Sequence, residues 1–415
     1  MVSKKTNNKL PMKRFFTILV AFFLTFTVNA QFNQDLLNML PHLNADSIGK
    51  TIQDLENFGN RYCDYGNGNK DVAEYIVSRL QSYGIPTAHI DSFYLDTTFI
   101  WLPHIERYCY NAVGFIPGKE NRDSIVIVGA HLDAISLSGR VLQEAAPGAD
   151  DNASGVAVML ELARIINKFK LQPRNTIFFI GYDAEEVGFQ GSRYDAQKRA
   201  NNNDNVIAML NNDMVSNQPD SLPYKLTLHW YDNATELADK AAFMCENFTT
   251  ITPVIPAAGA ENKTRQNSDS YMYALAGFEA VFAIEYNFSD YYHTVNDLYS
   301  YCNIDFAKEV AKMNFALLYD LAIGDIWDHS GINDHSEIIS AQISPNPSSD
   351  QILIHCGEFN NGFNLDLYDI SGRKIRSEKT MDSNLTLNIS SLESGIYIAE
   401  IQSGERKIIK KIIKK

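Results

Sequence analysis

The stretch SIVIVGAHLD, residues 124–133, decides the fold of this chain. Its β-branched run is typical of a strand that is buried on both faces of a parallel sheet. Three similar runs follow at residues 176–180, 206–210 and 280–284, and helical stretches such as residues 156–169 alternate with them. The alternation predicts an α/β fold, with a mostly parallel central sheet and helices on both faces.

The segments on either side of these runs extend the same unit. Residues 45–58 and 71–83 have helical patterns, and residues 88–94 and 108–116 have strand patterns. A helix over residues 304–321 closes the unit. These elements predict one large domain.

A second, smaller domain is predicted at the carboxyl end. Residues 331–343 lie in a stretch rich in Gly, Asn and Pro, so they are predicted to link a first domain at residues 31–330 to a second at residues 344–415. Short alternating runs separated by Ser-Gly pairs predict a small all-β sandwich for the second domain. Residues 407–415 fit either the final strand of this sandwich or a short basic helix on a membrane, and we favour the strand.

The first thirty residues have the composition of a secretory signal peptide. Five basic residues precede an apolar run at residues 15–28, and small residues before Gln31 fit a cleavage site. The apolar run of 14 residues is too short for an ordinary membrane span, and no other stretch of the sequence is long enough. We therefore predict a secreted chain with no stable membrane span.

Composition narrows the range of functions. The chain is 45% apolar, which is ample for a core and excludes an intrinsically disordered protein. The formal net charge is −14, and removal of the five basic residues before the cleavage site lowers it to −19. Because this charge has the wrong sign for phosphate backbones, we expect no nucleic acid partner.

Five cysteines enter an oxidising compartment after export, where disulfides persist. They are Cys63, Cys109, Cys245, Cys302 and Cys356. None belongs to a CxxC pair, so a thiolate zinc site has no support. The odd count leaves at least one thiol unpaired. With Cys356 in the second domain, the other four allow three pairings, among which the sequence does not choose.

Polar side chains that can bind metal follow the four buried runs. They are His131, Asp133, Glu185, Glu186, Asp213 and His293, with Asp151 in the turn GADDNASG at residues 148–155. Ligands of open α/β sheets bind outside the carboxyl ends of the strands, so these side chains can converge. Nitrogen and oxygen donors without sulfur suit zinc in hydrolases, and five donors with one shared carboxylate fit two ions.

A calcium loop is the main alternative for this turn, because residues 150–161 carry oxygen donors at the EF-hand spacing. We reject it on two grounds. Pro147 and Gly148 prevent an incoming helix, and residues 156–160 fill the second half of the loop with apolar, helical residues.

Five motifs together resemble a known enzyme family. They are HLD at residues 131–133, GADDNASG at 148–155, EEVG at 185–188, NDM at 212–214 and YHT at 292–294. These motifs, in this order, resemble those of the dizinc aminopeptidases, a family that includes secreted bacterial leucyl aminopeptidases, glutamate carboxypeptidase and glutaminyl cyclase. The resemblance covers roughly residues 45 to 325.

The resemblance implies a site with two zinc ions per chain. Asp151 would bridge both ions, with His131 and Asp213 on one and Glu186 and His293 on the other.

Three catalytic roles also follow from the resemblance. Glu185 would be the general base for a water shared by the two zincs, and Asp133 would orient His131. Tyr292 matches a tyrosine that some members use to stabilise the oxyanion.

The carboxyl end resembles the sorting domain of the type nine (Por) secretion system. The motifs are SPNP at residues 344–347, LYDISGR at 367–373 and LESGIY at 392–397, followed by a basic end. This resemblance implies a partner in the secretion machinery of the outer membrane.

The combined resemblance implies a secreted, zinc-dependent aminopeptidase that acts on peptides with a free amino terminus. A glutaminyl cyclase shares the fold but typically works with one zinc, so the five-ligand set favours the aminopeptidase. A non-catalytic binding ectodomain would not require Glu185. Residues 264–273 are expected to line the pocket that receives the substrate side chain.

Overall fold

The computed structural model describes residues 31–99, 102–219, 221–257, 264–328, 341–346, 348–356, 359, 362–369, 373–404 and 406–415. The predicted signal peptide and most of the predicted linker lie outside these residues. The chain divides into two compact units between residues 329 and 330, and each is described by itself.

The first unit alternates strands with helices, as the sequence predicts. Its helices are α1 (Gln34–Met39), α2 (Ala45–Glu56), α3 (Lys70–Ser82), α4 (Gly155–Lys168), α5 (Gln190–Asn202), α6 (Thr235–Phe248), α7 (Ser270–Leu275) and α8 (Ile304–Leu318). Its strands are β1 (Gln31–Phe32), β2 (His89–Thr97), β3 (Ile105–Ile116), β4 (Asn121–His131), β5 (Leu137–Ser138), β6 (Val141–Leu142), β7 (Asn175–Tyr182), β8 (Asn205–Asn212), β9 (Lys225–Trp230), β10 (Thr252–Val254), β11 (Ala280–Glu285) and β12 (Trp327–Asp328).

Eight of these strands form the central sheet, in the order β10-β9-β11-β8-β4-β7-β3-β2. The four central strands, β11, β8, β4 and β7, run parallel to one another. Antiparallel pairs lie toward the flanks, where β9 joins β11 and where β3 joins both β7 and β2. The prediction of a mostly parallel central sheet is confirmed.

Helices cover both faces of this sheet. On one face α4 packs against β4 and β8 and is covered in turn by α2 and α8, while α5 and α7 pack together with β7, β8 and β11 on the other. Strand β4 is therefore buried on both faces along its second half, from Ile125 to His131. This burial explains why its sequence lacks polar alternation.

The second unit consists of two antiparallel sheets. Its strands are β13 (Gln342–Ser344), β14 (Gln351–His355), β15 (Phe363–Asp369), β16 (Lys374–Thr380), β17 (Asn384–Asn388), β18 (Gly395–Ser403) and β19 (Arg406–Lys414). One sheet has the order β13-β14-β17 and the other β16-β15-β18-β19. Ile354 and Leu387 of the first sheet share a core with Leu365 and Ile401 of the second. The prediction of a small all-β sandwich is confirmed.

The final segment is a strand. Residues 406–414 pair with β18 in continuous antiparallel register, so the alternative of a basic helix on a membrane is wrong for this segment. Within the described ranges, no helix combines the length and the hydropathy needed to cross a bilayer.

Candidate metal centre

The carboxyl edge of the central sheet gathers the predicted site residues. His131 is the last residue of β4, Asp213 directly follows β8, and Glu185 and Glu186 lie just beyond β7. Because parallel strands end at the same edge, these side chains meet. They line one cavity of about 230 Å3 with Asp151, Tyr292 and His293.

Asp151 is shared by two groups of donor atoms. Its Oδ1 lies 3.1 Å from His131 Nε2, which is also 3.3 Å from Asp213 Oδ1. Its Oδ2 lies 3.2 Å from His293 Nε2, which is also 2.8 Å from Glu186 Oε2. Each oxygen of one carboxylate therefore faces a different histidine and a different second carboxylate.

The electrostatics of the cavity fit a bound cation. Four carboxylates converge there, and no Lys or Arg is among the described residues that line it. Burial raises the pKa of Glu186 to about 7, although the nearby His293 opposes the shift. Glu186 Oε1 is buried without a hydrogen-bond partner. A buried acceptor is costly when it lacks a partner, and a divalent metal ion would satisfy it.

The turn that presents Asp151 is held by Asp297. The backbone N–H groups of Asp150 and Asp151 each donate to the Asp297 carboxylate at 2.9 Å. Asp297 lies only four residues after His293. The same short loop therefore supplies the candidate metal ligand His293 and fixes the turn that carries Asp151. Asp297 was not among the site residues predicted from the sequence. Its proximity to His293 in the sequence was the available clue.

Arg61 supports the same region from behind and was also missed. Its side chain is fully buried. The guanidinium donates to the carbonyl oxygens of Leu132 at 2.9 Å and Gly148 at 2.8 Å, and also to those of Leu55 and Pro147. Burial lowers its pKa to about 10, so the side chain stays charged at neutral pH. Arg61 thereby joins the segment after β4 to the turn before α4.

Asp133 organises the neighbouring glutamates. Its Oδ1 accepts the Glu185 N–H at 3.0 Å, and its Oδ2 accepts the Glu186 N–H at 3.2 Å. His131 Nδ1 lies 3.1 Å from the Asp133 backbone carbonyl and 3.5 Å from its carboxylate. Asp133 thus contacts the candidate metal ligand His131 and both glutamates.

Glu185 lies beside the donors without belonging to either group around Asp151. One oxygen of its carboxylate lies within 4.8 Å of ligand atoms of His131 and Glu186. Burial raises the pKa of Glu185 well above its usual range, and the charge of His131 opposes this shift. A buried carboxylate of raised pKa can both accept and return a proton.

Three residues at this edge have left-handed backbone conformations. They are Ala184 with φ of 59°, Met214 with φ of 57° and His293 with φ of 56°. Residues other than glycine seldom adopt this region, and such strain clusters at functional sites. Here it turns the chain beside Glu185, beside Asp213 and at His293 itself.

Asp213 has a second layer of support. Ser268 Oγ donates to Asp213 Oδ2 at 2.6 Å, and Asn211 Nδ2 donates to Ser268 Oγ at 2.6 Å. From the segment 264–273, which we expected to line the pocket, Thr264 and Asn267 do so. Ser268 instead holds the Asp213 carboxylate in position through its hydrogen bond.

The rest of the cavity wall is apolar. It consists of Met214, Phe282, Ile284 and Phe288, and the sequence patterns assigned none of them to a pocket. Tyr292 lies at the rim, 40% exposed, and its ring stacks on His293 with 3.7 Å between centroids.

Comparison with known proteins identifies the family. The model of peptidase family M28 matches residues 111–318, which is half of the chain. This range contains all five candidate metal ligands around Asp151. This chain belongs to peptidase family M28. A model of a secretion system C-terminal sorting domain matches residues 342–415. Both resemblances inferred from the sequence are confirmed.

Several relatives of this M28 chain are known by sequence. Leucine aminopeptidase 1 of Leptosphaeria maculans is 28% identical over 308 residues, covering 70% of this chain and 74% of that protein. A probable zinc metalloprotease of Pyrenophora tritici-repentis is 30% identical over 259 residues, covering 59% of this chain and 57% of that protein. The chain thus spans little more than half the length of the zinc metalloprotease.

Solved structures share the M28 fold. An aminopeptidase from Aneurinibacillus sp. strain AM-1 superposes with a TM-score of 0.58 at 18% identity, over 70% of this chain and 97% of that one. Glutaminyl cyclase from Bacteroides thetaiotaomicron superposes with a TM-score of 0.55 at 19% identity, over 67% and 98%. At these identities the likeness concerns the fold alone.

Proposed function

We propose that this chain is a secreted, zinc-dependent aminopeptidase that hydrolyses the amino-terminal residue of peptides. The observation that carries the proposal is the sharing of Asp151 between two donor groups, with Glu185 beside them. The names of the relatives, leucine aminopeptidase and zinc metalloprotease, support the same reaction class.

We propose that the cavity holds two zinc ions. His131, Asp213 and one oxygen of Asp151 would hold the first ion, and Glu186, His293 and the other oxygen of Asp151 would hold the second. The four carboxylates that line the cavity carry four negative charges when ionised, which two divalent ions would balance. When bound, zinc acts as a Lewis acid and lowers the pKa of water from about 15.7 toward neutrality.

Glu185 is proposed as the general base. Its backbone N–H is fixed by Asp133, and its side chain is buried next to the donors. It would take a proton from the attacking water and return it to the nitrogen of the leaving peptide. Asp133 would hold Glu185, Glu186 and His131 in position through its hydrogen bonds. Tyr292 at the rim would donate a hydrogen bond to the developing oxyanion.

The lining of the cavity indicates which substrate side chain it would accept. Its apolar wall, with Phe282, Ile284 and Phe288, favours an apolar amino-terminal side chain such as leucine.

The test is a peptide panel analysed by mass spectrometry. Peptides with free, acetylated and glutamine amino termini are incubated with the zinc-loaded chain, residues 31–415. We expect loss of one residue from free termini only, and no reaction after a chelator removes the metal. Loss of ammonia from the glutamine peptides would instead identify a cyclase. An unchanged panel with zinc bound would indicate a binding ectodomain.

We further propose that residues 342–415 direct release through the secretion machinery of the outer membrane. Deleting them should leave active enzyme in the periplasm and none in the medium, measured by peptidase assay of the two fractions. The matched control is the full chain with Glu185→Gln, followed by antibody, which should be released like the wild type because its tail is intact. Unchanged release of the truncated chain would refute the role of the tail.

A further inference from the structure

Two of the five cysteines, Cys63 and Cys109, lie side by side in the first unit. Cys63 is in the loop that joins α2 to α3, here called the α2–α3 loop (residues 57–69), and Cys109 is on β3. They are 1% and 0% exposed and belong to one small apolar cluster separate from the main core. Both are free thiols in the structure, and the Cys109 side chain is near enough to act on the Cys63 thiol.

Polar contacts on both sides of this pair fix the α2–α3 loop against β3. Arg107 Nη1 donates to Asp64 Oδ1 at 3.1 Å. The Asp183 carboxylate accepts from Asn69 Nδ2 and from the backbone N–H of Tyr110, both at 2.8 Å. Asp64 directly follows Cys63, and Arg107 and Tyr110 lie within two residues of Cys109, while Asp183 follows β7 and bridges Asn69 to Tyr110. The juxtaposition of the thiols is therefore set by contacts that involve no sulfur.

We propose that Cys63 and Cys109 form a disulfide in the exported protein. The other cysteines lie elsewhere: Cys245 packs in the main core, Cys302 Sγ donates to the Leu298 carbonyl at 3.8 Å, and Cys356 is in the second unit. The proposal selects one pairing and leaves three thiols. It rests on export of the chain and not on its peptidase activity.

The oxidation needs a partner that accepts two electrons. Each thiol loses its proton, one S–S bond forms, and the electrons pass to the disulfide of a thiol oxidoreductase, which becomes a dithiol. The neighbouring Cys109 side chain, together with burial, raises the pKa of the Cys63 thiol well above its usual range. Thiolate is therefore scarce once the loop has packed, so the bond forms during folding after export.

The disulfide would secure a segment that supports the metal centre. The α2–α3 loop also carries Arg61, whose guanidinium contacts the carbonyls of Leu132 and Gly148. Leu132 follows the donor His131, and Gly148 begins the turn that presents Asp151. A cross-link that closes a segment of roughly 45 residues restricts the unfolded chain, so its loss should lower the melting temperature by about 5 °C or more.

The decisive experiment counts thiols in protein that has passed through export. The full chain is collected from the medium, denatured without reductant, alkylated and weighed. We expect three alkylated cysteines per chain, and a non-reduced peptide map that joins the Cys63 peptide to the Cys109 peptide. The same chain made in a reducing cytosol should carry five. Five alkylated cysteines in the exported chain, or a disulfide between any other pair, would overturn the proposal.

The melting temperatures of variants distinguish stabilisation by the disulfide from stabilisation by the packing of the two thiols. Reductant should lower the melting temperature of the exported wild type but not that of Cys63→Ala. The matched control, Cys245→Ala, removes an equally buried thiol and should stay sensitive to reductant. Equal sensitivity of Cys63→Ala and wild type would contradict the proposal. If Cys63→Ala does not fold, the thiol count and the peptide map on the wild type decide the question.

Discussion

Glu185→Gln should lower kcat by roughly 10^3-fold while leaving the zinc content unchanged. Glutamine has nearly the same shape, and its backbone N–H can still donate to Asp133. Its amide cannot accept a proton from water at neutral pH, so the proposed base is lost. Because the Glu185 side chain is outside both donor groups around Asp151, metal binding should survive.

The measurement pairs steady-state kinetics on a leucine-terminated peptide with metal analysis of the same sample. Glu186→Gln is the matched control: it alters an adjacent glutamate of the same chemistry, but one whose carboxylate lies 2.8 Å from His293 within a donor group. It should reduce the zinc content as well as the activity. Near-normal turnover of Glu185→Gln would remove Glu185 from the role of base.

Asp151→Ala should leave neither zinc ion bound. Its two carboxylate oxygens face different histidines, at 3.1 Å and 3.2 Å, so one substitution removes a donor from both groups. Each group would be left with one histidine and one carboxylate, too few protein donors for a catalytic zinc site, which normally has three.

The measurement is metal content per chain after dialysis against buffered zinc, with a circular dichroism spectrum to establish that the variant is folded. Asp213→Ala serves as the comparison, since it removes a donor from the His131 group only. It should retain about one zinc where the wild type binds two. A folded Asp151→Ala chain with two zincs would show that Asp151 is not the shared ligand.

The residue types at the centre could be predicted from the sequence, but part of their arrangement could not. The sequence predicted that Asp133 orients His131 from its resemblance to the family. In the structure, the Asp133 carboxylate accepts the N–H groups of Glu185 and Glu186, and its backbone carbonyl lies closer to the imidazole. A motif gives the identity of a polar side chain, whereas the partner of each oxygen depends on the path of the neighbouring segment.

Helix α5 illustrates another limit of local pattern. Its residues, QGSRYDAQKRANN, contain no apolar stripe, so the sequence pattern does not predict a helix here. Its buried side is made of small and paired residues: Gly191, Ser192 and Ala196 pack closely, and Arg199 pairs with Asp195. The pairing that makes this side suitable for burial exists only in the folded chain.

The sequence by itself determined the buried parallel strands, the candidate metal-binding residue types at their carboxyl ends and the all-β tail. An uninterrupted β-branched run reflects a strand that is buried on both faces, and an alternating run reflects a strand that is buried on one face. Either pattern can be recognised within the strand itself. Only the tertiary structure decided that Arg61 and Asp297 support Asp151 and that Cys63 lies against Cys109. These contacts join residues 46 to 147 positions apart, so they depend on strand order and loop paths, which no periodicity encodes.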